Sequence, residues 1–110
     1  MTWIPFDGGA SIGLVGSEGG ILVHDEEHEN GARISLEAGG GAAPFAITCG
    51  LYGWMVHTRF FSDRDVAEQE YSLMKAALSQ LLDSIPERDL GDEEYREVTG
   101  RLSSFVAKFP

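Results

Sequence analysis

Between residues 45 and 61 hydrophobic and polar positions alternate. Phe45, Ile47 and Cys49 interleave with Ala46 and Thr48; further on, Trp54, Val56, Thr58 and Phe60 interleave with Met55, His57, Arg59 and Phe61. A period of two, rich in aromatic and β-branched residues, predicts two strands of a half-buried sheet. Gly50 and Gly53 bracket Leu51-Tyr52, which predicts a loop longer than a bare two-residue turn, with a glycine in the left-handed position. Phe45, Ile47, Cys49, Trp54, Val56 and Phe60 are assigned to the core. Ala46, Thr48, Met55, His57, Arg59 and Phe61 form the outward face.

The same alternation predicts a second hairpin over 21–29 and 32–38. Asn30-Gly31 between them suits a type I′ turn, in which both residues take φ > 0. That turn places Glu29 opposite Ala32, Asp25 opposite Leu36 and Val23 opposite Ala38. Ile21, Val23, Ile34 and Leu36 then share one face with Asp25 and Glu27. Leu22, His24, Glu26, His28, Arg33, Ser35 and Glu37 share the other. Ser11–Gly16 is a weak strand candidate, and Pro5 allows residues 3–6 only an edge position. Gly39–Ala43 is too short for a crossover helix, so neighbouring strands run antiparallel.

From residue 62 the period changes to helical. Val66, Leu73, Met74, Ala77, Leu78, Leu81, Leu82 and Ile85 recur at helical spacing until Pro86, and Ser62 with Asp65 has capping-box spacing. A second stripe, Tyr95, Val98, Leu102, Phe105, Val106 and Phe109, predicts a helix over about 92–109. Acids at 92–94 and Lys108 suit its dipole, and Gly100 is its weak point. Strands first and helices last predict one α+β domain over 1–110. It has a four- to five-stranded antiparallel meander over about 10–61 and two C-terminal helices, about 63–85 and 92–109, on one face.

Composition narrows the function classes. The 110 residues carry a net charge of −10, which disfavours phosphate backbones and anionic membranes, so neither nucleic acid nor membrane is expected as a partner. Residues 1–62 hold seven acids and two bases, and 63–110 hold eleven and six, so each part carries −5 and there is no acidic tail. One cysteine excludes an internal disulfide, and the N-terminal residues carry no leader pattern, so a cytoplasmic protein is expected.

The candidate chemistry is sparse. His24-Asp25-Glu26-Glu27-His28 has Asp25 where HExxH requires glutamate. On a strand its imidazoles lie about 13 Å apart, too far for one ion. Cys49 and His57 are expected on opposite faces, with Cys49 a buried thiol of raised pKa. No serine, glycine-rich or paired-carboxylate motif is complete. No catalytic residue, metal or cofactor is therefore expected.

Met55, His57, Arg59 and Phe61 have the composition of an interface centre. They lead to the expectation of a non-enzymatic interaction module, a homodimer through that face. In size and acidity the chain is similar to bacterial antitoxin and immunity proteins, a class likeness carried by no motif, and it adds inhibition of a basic protein as a variant. The alternative is a domain for a small anionic ligand, or a small enzyme, with a pocket near the 44–61 hairpin. Tyr52, Trp54, His57 and Arg59 would be its contacts, Arg59 for the anion and the rings for stacking.

Overall fold

In the computed structural model, which describes residues 3–110, five strands form one antiparallel sheet in the order β1-β2-β3-β4-β5. They are β1 (Trp3–Pro5), β2 (Ile21–His28), β3 (Ala32–Ala38), β4 (Phe45–Leu51) and β5 (Met55–Phe61), followed by α1 (Arg64–Asp83) and α2 (Asp92–Lys108). The expected α+β meander with two C-terminal helices on one face is the observed fold. The sheet starts earlier than residue 10, because Trp3–Pro5 pairs with β2 as an edge strand, the position Pro5 permits. Ser11–Gly16 is a series of turns, with an isolated bridge between Val15 and Ile21.

The β2–β3 register differs from the expected one by one residue. Asp25 faces Ser35, Glu27 faces Arg33 and His28 faces Ala32. Three residues turn the chain, not two. Gly31 alone is left-handed, at φ 111°, while Asn30 is not, so the turn is not type I′. The register shifts again at a bulge between Leu22 and His24. Polar pairing explains the choice. In this register Asp25 and Arg33 share a face, and Arg33 donates from Nε and Nη2 to the two Asp25 oxygens at 2.9 and 2.6 Å. The expected register would have put them on opposite faces.

The β5 assignment is also reversed. A three-residue loop, Tyr52–Trp54 with Gly53 at φ 82°, sets Leu51 opposite Met55, Cys49 opposite His57 and Ile47 opposite Arg59. An odd loop puts Met55, His57, Arg59 and Phe61 on the face of Ile47 and Cys49, beneath the helices. Val56 and Phe60, expected in the core, lie on the other face and are 79% and 48% exposed.

The core lies between the sheet and the helices. Ile34, Leu36, Ile47, Cys49 and Leu51 meet Ala67, Tyr71, Met74, Leu78 and Leu82 of α1 and Val98, Leu102, Phe105 and Phe109 at α2. Within the predicted α1 stripe, Val66 and Leu73 are about half exposed, and Ala67 and Tyr71 take their places. Asp63, not Ser62, caps α1, accepting from the Val66 amide at 3.0 Å. Around this core the helix side is polar. Glu26 accepts from Tyr71 at 2.8 Å and from Lys75 at 2.9 Å, and His24 donates to Glu68 at 2.7 Å. The buried His28 accepts from the Asn30 amide through Nδ1 at 3.1 Å, which leaves its proton on Nε2 beside the Trp3 ring.

Candidate functional site

The second sheet face carries Arg33, Ser35 and Glu37 of β3, Ala46, Thr48 and Gly50 of β4, and Val56, Thr58 and Phe60 of β5. No α-helix covers it. A strap from Phe6 to Gly20, one short 3-10 turn at Phe6–Gly9 and otherwise irregular, crosses its β2–β3 half and is tied down by charge. Glu37, 1% exposed, accepts from the Gly20 amide at 2.7 Å and from the Glu18 amide at 3.1 Å. A Cβ on Gly16 would stand 2.7 Å from the Glu37 carboxylate, and one on Gly20 would stand 2.8 Å from the Ala38 carbonyl, so this approach requires glycine. The glycine-rich run from Gly16 to Gly20 is therefore a cradle for a buried carboxylate.

Phe6 lies over the Arg33 guanidinium, 3.5 Å from ring centroid to Cζ. The Asp25 side chain is fully buried while Arg33 is 38% exposed. Arg33 is thus the half-exposed partner in a two-pronged ion pair with a buried carboxylate, on the face opposite His28 and Glu26, with which the sequence grouped it.

Between the strap and β5 runs an open groove of about 680 Å³. Val15 and Ser17 form one wall and Val56 the other. Thr48 and Gly50 form the floor, and Tyr52 and Trp54 close the hairpin end. Ser17, Thr48 and Thr58 make a hydroxyl ladder across the floor, with spacings of 3.2 and 3.3 Å. Tyr52 donates to Glu27 at 2.7 Å, and partial burial together with this bond pushes its phenol up to about 12.

Of the residues singled out from sequence, Tyr52 and Trp54 reach this groove, and His57 and Arg59 do not. His57 donates to the Phe109 carbonyl at 2.6 Å. Arg59 donates to Glu70 at 2.8 Å and to the Pro110 carbonyl at 3.0 Å. Both hold the end of α2 against β5. Met55 and Phe61 pack against the core. All three histidines face the helices, not outward. Cys49 and His57 are cross-strand partners on one face, contrary to expectation. Burial nevertheless pushes the Cys49 thiol up to about 12, as expected for an inert core cysteine, and His57 is engaged elsewhere. Among the described residues no group of three His, Cys, Asp or Glu side chains converges as a metal site, and no helix is long and apolar enough to cross a membrane.

Arg33, Asp25 and Glu37 were missed as site residues. Their one sequence signal was charge at alternate positions of strands that also carry core residues. Comparison with known proteins finds no family model, no curated protein and no solved structure that matches the chain.

Proposed function

We propose that the protein is a non-enzymatic interaction module that self-associates through the outer side of β5. One observation carries this reading. Val56, 79% exposed, and Phe60, 48% exposed, lie on one face of an edge strand, with Thr58 between them, and that strand has a neighbour on one side only. Natural sheets blunt such edges with short strands, proline, bulges or charge. The β1 edge is blunted in this way, with three residues and Pro5. The β5 edge is seven residues long, and its one charge, Arg59, is turned to the helix side and held by Glu70.

An edge that pairs antiparallel with itself closes into a two-fold dimer and leaves no second free edge there. Pairing centred on Thr58 would set Val56 of each copy opposite Phe60 of the other. The expected interface strand is retained in this reading, but the residues that carry it change from Met55, His57, Arg59 and Phe61 to Val56 and Phe60. A cytoplasmic setting suits the lone buried thiol. A basic protein remains the variant partner, attracted by the net charge of −10, and salt would release it.

The test is native mass by light scattering at about 100 µM, an order chosen to exceed the Kd of a micromolar dimer. The unmodified chain should run as a dimer. Val56→Glu with Phe60→Glu should give a monomer with an unchanged circular dichroism spectrum. A monomeric unmodified chain, or a double variant that stays dimeric, would overturn the reading.

A further inference from the structure

The groove on the open face has the parts of a small-molecule site, and they differ from those of an interface. Its volume of about 680 Å³ lies within the range of ligand pockets, roughly 300–1,000 Å³. Its walls are apolar at Val15 and Val56, and aromatic at Tyr52 and Trp54. Gly50 opens the floor. Its backbone is not left-handed, and a Cβ there would sit 3.4 Å from the Met55 carbonyl and 3.8 Å from Val56 Cγ2, so a side chain is tolerated locally but would rise into the groove.

Arg33 lines the same groove and is held rigidly. Asp25 takes the Nε donor and one of the two on Nη2, and Phe6 covers one face of the guanidinium. A guanidinium has five N–H donors. The two on Nη1 are taken by no described residue.

Charge decides what those donors would accept. Asp25 and Glu27 both lie close to Arg33, and Tyr52 brings Glu27 to the hairpin end of the groove through its hydroxyl. One cation beside two carboxylates gives a locally negative site, in a chain of net charge −10. A second anion would be repelled, while an uncharged oxygen would be accepted. We infer that the groove between Ser17 and Val56 binds a neutral, largely apolar molecule whose single carbonyl oxygen accepts from Arg33 Nη1. Tyr52 offers a ring to stack on, while the Trp54 ring lies against Tyr95 with centroids 5.3 Å apart and only borders the groove; an aromatic body suits this end. The Ser17–Thr48–Thr58 ladder is already self-satisfied in part, so it makes the floor wettable without demanding a partner. Val56 belongs to both readings, as a groove wall here and as an edge residue in the dimer. Arg33 and Gly50 lie off the edge strand and belong to the groove alone, so variants at those two positions test it separately from dimerisation.

Three probes of nearly one shape separate the possibilities: 4-phenylbutan-2-one, 3-phenylpropanoate and butylbenzene. Each is titrated into the full ¹⁵N-labelled chain at pH 8 and followed by amide shifts. The ketone should move the Gly16, Ser17, Gly50 and Gly53 amides and bind about tenfold more tightly than the carboxylate or the hydrocarbon, the scale of one hydrogen bond to a charged group. Arg33→Lys keeps a cation opposite Asp25 but removes the forked donor, and should bring ketone and hydrocarbon to within about twofold. Gly50→Leu should abolish the shifts while the spectrum stays dispersed. The unmodified chain decides even if both variants fail to fold. No shifts with any probe, equal affinity for all three, or a preference for the carboxylate would each overturn the inference.

Discussion

The two faces of this sheet are covered by different physics. On the helix side two amphipathic helices bury a continuous apolar layer, and the charged groups lie around its margin. Glu26 and Lys75 there are each 28% exposed. On the other side there is no α-helix, and a largely irregular strap is held over half the sheet by Glu37 on backbone amides and by Phe6 on Arg33, which Asp25 holds in place. The first face is stabilised mainly by area removed from water, which is non-directional and tolerant. The second depends on a few directional contacts, each costly to lose. That division leaves the β4–β5 half of the open face bare, and this bare half holds both the groove and the free edge.

The comparison breaks most sharply with one charge removed from each side. Arg33→Leu leaves the fully buried Asp25 carboxylate without its partner and should cost about 3 kcal/mol. Lys75→Leu removes a partner of the same charge from Glu26, which keeps Tyr71 and has access to water. It should cost less than about 1 kcal/mol. Urea unfolding of the two variants measures the difference. Equal losses would mean that the two faces are alike in how they carry charge.

A smaller effect tests the strap itself. Glu37→Gln keeps one acceptor oxygen and introduces an amide N–H₂ that has to face a backbone N–H. About 1–2 kcal/mol should be lost. Hydrogen exchange should quicken at the Glu18 and Gly20 amides and stay unchanged at the α1 amides. Quickening of equal size at both places would show global destabilisation and count against a strap held locally by Glu37.

The helix side was the legible side. The alternation of β3 and β4 and the order of elements follow from hydrophobic period alone, because each buried set there is clearly more apolar than its neighbour. On β5 the two sets were nearly matched: Met55 and Phe61 against Val56 and Phe60. Hydropathy had no preference, and the parity of the Tyr52–Trp54 loop decided the face. On β2 the apolar residues thin out beyond Val23, so the register passed to Asp25, Glu26 and Arg33, whose partners are eight to 49 residues away. Arg59 and His57 were read as free for the same reason, since Glu70 and Phe109 are distant in sequence. The groove depends on the position of the strap, and a run of glycines and turns carries no periodic signal for that.

The mildest test concerns Gly100, on the solvent side of α2. Its flanking core residues, Val98 and Leu102, face inward, and a Cβ built on it meets nothing within 4 Å. No close approach requires glycine, so its cost is the backbone freedom that a helix interior takes from it, about 1 kcal/mol relative to alanine. Gly100→Ala should therefore stabilise the chain by about that amount and raise Tm by roughly 4 °C. The gain belongs to the helix side alone. Probe affinity in the groove, exchange at Glu18 and Gly20, and native mass should all remain as in the unmodified chain. If Gly100→Ala shifted any of these, the two faces would be coupled through the sheet, and the strap could no longer be treated as a layer with its own energetics.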